Sequence, residues 1–196
     1  MMAAITRESL MSLEQYSAQR KEFRARVMAH KHNRKVHLGE HVTLLFEDEL
    51  TIRYQIQEML RAERIFEEAG IVDELDAYNP LVPDGSNWKV TMLIEYPDQE
   101  ERKTALAKLI DIEDKVWVQV EGEPKVFAIA DEDLERETEE KTSSVHFMRF
   151  ELTPGMKNAL KQGRALSMGI DHGNYMVQVA KVPEAVRQSL INDLKL

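Results

Sequence analysis

Cysteine is absent from all 196 residues of this chain. That removes disulfides, zinc–thiolate sites, thiolate-ligated haem and any iron–sulfur cluster held by the chain itself, because each needs a sulfur ligand. Any metal has to be held by His, Asp, Glu or Met. Long apolar runs are missing too: nothing approaches the roughly eighteen residues that a membrane-spanning helix requires. The opening residues, MMAAITRESLMSLEQY, lack the apolar centre and small-residue cleavage site of a signal peptide. The expectation is a cytoplasmic protein with no membrane partner. The eight glycines make neither GxGxxG nor a phosphate loop, there is no GxSxG elbow, and no histidine sits in HExxH or ExxH. Hydrolase and nucleotide-enzyme readings therefore have little support.

Charge is abundant and uneven. From Arg20 to Lys35 seven basic residues face one acid, Glu22, a local charge of +6 in a chain of net charge -9, so the remainder carries -15. The densest acidic run, Asp131 to Glu140, holds seven acids against Arg136. Each charged stretch reads either as a solvated face or as a docking surface, and the two attract each other. Four of the six histidines, His30, His32, His37 and His41, fall at the end of the basic stretch. Apolar positions Leu13, Tyr16, Phe23 and Val27 recur with helical spacing after the cap candidate Ser12, and His30 falls in register with them. His30 reads as a helix-end histidine favoured by the dipole, or as a ligand.

Beyond Val36 the period changes. Val36 to Leu38 and His41 to Phe46 read as strands around Gly39-Glu40. A helix over roughly Leu50 to Ala69 follows, with Ile52, Ile56, Met59 and Phe66 on one face. Glu63 falls within that face and Gln55 at its edge. A carboxylate buried there needs an arginine, with Arg20 and Arg149 as candidates, or a histidine, a proton or a metal. After the connector Asn79 to Asn87, a strand–helix–strand–strand order occurs twice: Trp88 to Tyr96, a helix from Pro97-Asp98, Val116 to Val120 and Lys125 to Ile129; then Ser144 to Leu152, a helix from Thr153-Pro154, Ala165 to Ile170 and Tyr175 to Ala180. Pro183 opens a last helix. The fold class is therefore α+β: an N-terminal helical arm, then mostly antiparallel sheet from two β-α-β-β units with helices packed on one side. The division is a basic helical arm, 1–35, and an α+β domain, 36–196, or one domain throughout.

The stretches HVTLLFEDELTIRYQIQEMLRAERI, ELDAYNPLVPDGSNWKVTMLIEYPD, EEKTSSVHFMRFELT and GIDHGNY, in that order, carry Glu47, Glu58, Arg61, Glu63, His146, Arg149 and His172. In these the chain resembles, over nearly its whole length, the bacterial family named domain of unknown function 3501. The resemblance transfers no reaction. It implies a context of rubrerythrin-like proteins and iron–sulfur oxidoreductases, hence oxidative stress or electron transfer. Lys21 stands where the family form has a proline between two helices.

Three functional expectations follow. His41, Glu63, His146 and His172 converge on a non-haem iron, manganese or zinc site of an accessory protein, an imidazole–carboxylate set suited to such ions. Alternatively, the chain is a non-catalytic binding or assembly module for a rubrerythrin-like or iron–sulfur oxidoreductase partner, docking through charge; Arg24, Arg26, Lys31, Arg34 and Lys35 are its partner- or anion-binding residues. Nucleic-acid binding through the same basic arm ranks last, since Phe23 is the sole interleaved aromatic and the rest of the chain repels polyanions.

Overall fold

Ser12 starts the first helix by a reciprocal cap: its hydroxyl accepts from the Gln15 backbone, and the Gln15 side chain accepts from the Ser12 backbone. The resulting helix, α1 (Leu13–His32), runs unbroken through Lys21, a residue that continues a helix where proline would break it. In this computed structural model, which describes residues 5–130 and 140–195, α1 buries only the narrow stripe Tyr16, Phe23 and Val27. The stripe lies antiparallel on α2 (Glu49–Ala62), with the Phe23 ring 6.2 Å from that of Tyr54. Most of the acidic run, residues 131–139, lies outside the described residues.

The helix expected to continue to Ala69 ends at Ala62. Arg64 adopts a left-handed φ of 53°, and the Ile65 and Arg64 amides return to the carbonyls of Leu60 and Arg61 at 2.9 and 3.3 Å. This is the paired bond pattern of a left-handed helix stop, which glycine usually marks; an arginine in that place hides it. Glu63 is thus the exposed C-cap of α2 and not a buried carboxylate, and Phe66 is 72% exposed. A second helix, α3 (Glu68–Tyr78), then turns Ile71 and Leu75 toward Ile52, Ile56 and Leu60. The buried amide on α2 is Gln57, whose carbonyl accepts from the Met11 backbone at 2.8 Å. Gln55 is exposed.

Nine strands make two antiparallel sheets among the described residues. One runs β1 (Lys35–Leu38), β2 (Val42–Glu47), β3 (Asn87–Ile94), β7 (Val145–Glu151), β6 (Ile129–Ala130); the other runs β5 (Val126–Phe127), β4 (Val116–Val120), β8 (Leu166–His172), β9 (Tyr175–Val179). The two expected units are present as β3-α4-β4-β5 and β7-α5-β8-β9, with α4 (Gln99–Lys108) and α5 (Pro154–Lys161). They interleave: β3 pairs with β7 in one sheet and β4 with β8 in the other. The expected strand Lys125 to Ile129 divides at Ala128, whose amide bonds the Val116 carbonyl at 2.8 Å, and its halves join different sheets. Val90, Met92, Met148 and Phe150 of one sheet share a core with Val116, Val118, Met168 and Ile170 of the other. Burying that apolar surface is the main stabilising term of the α+β domain.

The C-terminal helix α6 (Glu184–Ile191) joins the same core, and its Leu190 carbonyl accepts from the Trp88 indole at 2.9 Å. The β1–β2 turn is pinned to β9 by Tyr175, whose hydroxyl donates to the Leu38 carbonyl (2.5 Å) and accepts from the His41 amide (3.1 Å). Gly39 between them has φ 73°, and a side-chain carbon there would stand 2.5 Å from the Tyr175 oxygen. Tyr175→Phe, which leaves both backbone groups without this partner, is expected to lower unfolding free energy by about 1–2 kcal/mol in urea titrations. No helix among the described residues is long and apolar enough to cross a membrane.

Candidate functional site

The antiparallel packing of α1 on α2 places Glu58 against Tyr16 and Arg20. Glu58 accepts from the Tyr16 hydroxyl at 2.7 Å and holds Arg20 in a two-point pair, Nε at 2.8 Å and Nη2 at 3.1 Å. Burial pushes the Glu58 carboxyl up, but the bonds from Arg20 and Tyr16 outweigh it and hold the group below its ordinary value. Burial, followed by the bond to Glu58, raises the Tyr16 phenol well above its usual range. A depressed carboxyl contributes stability that is complete above its unfolded value, 4.5, and lost as pH falls through the lowered folded value. Wild type is therefore expected to lose stability relative to Glu58→Gln in urea titrations as pH falls below 4.5.

Beside this pair lies an open cleft of about 480 Å³ lined by Ser17, Arg20, Lys21, Arg24, Ala25, Met28 and Arg61. Ser17, Lys21, Arg24 and Met28 follow one another at helical spacing along one face of α1, and Arg61 faces them from α2. No carboxylate lines the cleft. Lys21, Arg24 and Arg61 are exposed and make no ion pair among the described residues. On the opposite flank of α1 the cations are occupied or offset: Arg53 pairs with Glu49, the Arg26 guanidinium lies 5.3 Å from the Phe23 ring, and Glu22 lines the groove.

At its C-terminus α1 enters a buried polar network. Arg34 is 1% exposed, donates to the Phe46 carbonyl at 2.8 Å and grips both oxygens of Asp193 at 3.1 and 2.5 Å. His30 Nε2 lies 2.5 Å from Asp48, whose other oxygen caps α2 through the Thr51 amide. Burial drives the Asp193 carboxyl up to about 6 against the pull of Arg34. Arg34, expected to bind a partner or anion, is instead an internal cation that ties β2 to the chain's end. Lys31 is likewise drawn inward: its ammonium sits 5.3 Å over the Tyr54 ring, and burial lowers its pKa. Of the five basic residues singled out from sequence, Arg24, Arg26 and Lys35 remain exposed.

The proposed metal ligands are not brought together. Among the described residues no group of three or more His, Asp or Glu is arranged to hold a metal ion. His146, 1% exposed, engages the Thr142 hydroxyl and the Ser143 carbonyl through Nε2 at 2.9 and 3.0 Å. His172 donates from Nε2 to the Ile110 carbonyl at 2.8 Å and accepts from the Asn174 amide at Nδ1, so both nitrogens are used. His41 stacks on Tyr96 with ring centres 3.8 Å apart and donates from Nδ1 to the Glu95 carbonyl. Glu63 caps α2 at the surface. Each imidazole has a structural partner that its position in the sequence did not disclose, because four of the six are backbone groups, those of Ser143, Ile110, Asn174 and Glu95.

Arg20, Lys21 and Arg61 were absent from the candidate set. The available signal was the acid-free spacing Ser17, Lys21, Arg24, Met28, which a charge count over the whole arm obscures.

Residues 4–194 match the family described as Protein of unknown function (DUF3501). The chain belongs to this family. A crystal structure described as a novel protein of unknown function from Burkholderia pseudomallei K96243 is similar over 98% of this chain and 100% of that one, with 56% identity and a TM-score of 0.93. No curated protein matches this chain.

Proposed function

We propose that this family member is a non-catalytic docking module whose α1–α2 face receives an acidic surface of a partner protein. The observation that carries the reading is the cleft of Arg20, Lys21, Arg24 and Arg61 with no carboxylate in its lining. In a chain of net charge -9, one cationic face attracts an acidic partner in a single orientation while the rest repels it, which favours encounter rate and specificity over raw affinity. Met28, 38% exposed in the same lining, supplies an apolar contact. Nucleic acid fits less well, because Phe23 is buried and leaves no aromatic on the face to stack a base.

The proposed partner is the one the family resemblance implies, a rubrerythrin-like protein or an iron–sulfur oxidoreductase, in the cytoplasm. A cysteine-free chain leaves the cluster to such a partner. The iron, manganese or zinc site at His41, Glu63, His146 and His172 has less support, given the hydrogen bonds that occupy the imidazoles. Fluorescence anisotropy with a labelled polyglutamate peptide tests the reading. Binding that weakens steeply from low to physiological salt is expected; absent or salt-independent binding would overturn it.

A further inference from the structure

We propose that the group received by the α1–α2 cleft is a phosphate monoester dianion. The inference deepens the docking reading and rests on it. One of the four cations is fixed before any ligand arrives: Glu58 binds Arg20 through Nε and Nη2, and Glu58 is itself held by the hydroxyl of buried Tyr16. Arg20 therefore presents its Nη1 edge in a set direction, and little side-chain freedom is left to lose on binding. Lys21 and Arg24 flank it on α1, and Arg61 faces it from α2.

Charge selects the class of anion. Glu58 is bonded by Arg20 and also feels the charge of Arg61, so one carboxylate is set against four cations; Lys21 and Arg24 make no ion pair among the described residues. A single carboxylate leaves most of that charge unmet. A phosphate monoester carries about -1.5 to -2 at neutral pH and offers three acceptor oxygens, which match guanidinium forks. A phosphodiester carries one charge per linkage and would need the stacking surface that this face lacks. The lining residues Ser17 and Ala25 are small and leave the approach open. A cleft of like size beside His41 and Tyr96 is lined by Glu40 and Glu95 against Arg102 and offers no such excess of positive charge.

Calorimetric titration of the full chain with phosphoserine, inorganic phosphate and glutamate, at constant ionic strength, tests the inference. Phosphoserine and phosphate are expected to bind at least about tenfold more tightly than glutamate. Arg61→Gln, at an exposed position, should remove that preference with only a small fall in thermal unfolding temperature, whereas Arg26→Gln on the opposite flank should keep it. Equal affinity for glutamate and phosphoserine, or equal loss in both variants, would overturn the inference. The polyglutamate experiment separates the two readings. Peptide binding without phosphate preference leaves docking standing and removes the monoester; loss of both removes both. The source is a phosphorylated side chain of the docked partner, so a phosphoserine peptide is expected to bind more tightly than free phosphoserine; equal affinity would show that the face makes no contact beyond the phosphate and would overturn the inference.

Discussion

Arg34→Ala is expected to destabilise the protein by about 3–5 kcal/mol, the usual cost of breaking one side of a buried ion pair. The guanidinium is almost completely buried and serves the Phe46 and Glu47 carbonyls, the Ser189 carbonyl and both oxygens of Asp193. Alanine strands a carboxylate that is 4% exposed and removes the donor from three carbonyls. For a chain of this size the melting temperature should fall by about 10 °C or more. Arg34→Met combined with Asp193→Leu should recover the share due to the stranded carboxylate, because an apolar pair replaces an ionic one whose desolvation nearly cancels its attraction, but not the share due to the Phe46, Glu47 and Ser189 carbonyls. Asp193 also carries a pH signature. Its folded value of about 6 exceeds the ordinary 3.8, so the folded state takes up this proton first as pH falls. The contribution is fully present below 3.8 and is lost as pH rises through 6; Asp193→Asn should abolish this dependence in urea titrations. A loss below about 1 kcal/mol in Arg34→Ala would contradict the network's structural role.

Reversing two charges in the cleft, Arg24→Glu with Arg61→Glu, is expected to weaken polyglutamate binding by about a hundredfold or more, since placing like charges together costs several kcal/mol. Both side chains are exposed and make no ion pair among the described residues, but Arg61 stands in the last turn of α2 and its charge acts on Glu58, so the double reversal should cost about 1 kcal/mol of stability and leave the protein folded. Arg26→Glu serves as the control. Its guanidinium lies beside Phe23 on the other flank, so it should reduce affinity only through net charge. Equal losses from both changes, measured by anisotropy with matched melting temperatures, would mean that the basic helix acts as a diffuse charge.

The architecture was largely legible because alternation and turn residues speak directly for strands. Trp88, Val90, Met92 and Ile94 alternate in sequence and line one face of β3. The pairing of β3 with β7 and of β4 with β8 was not legible, since register between distant strands leaves no local mark. The division at Ala128 was hidden for the same reason. Helix periodicity failed at Glu63 because it reports where a residue would lie if the helix continued, and Arg64 ends it without a glycine. The site was legible only in its charge. Arg24 stayed exposed while Arg34, in the same basic stretch, turned inward to meet Asp193, a partner 159 residues away. Sequence proximity grouped those two arginines; tertiary contacts separated them.

The most direct test is a map of where an acidic ligand lands. Backbone amide and arginine Nε resonances of the isotope-labelled protein, followed during polyglutamate addition at low salt, should shift over residues 17–28 and at Arg61, and should return when salt is added. Shifts centred on His41 and Tyr96, on the exposed sheet faces, or on no region in particular would contradict the assignment of the α1–α2 cleft as the docking site.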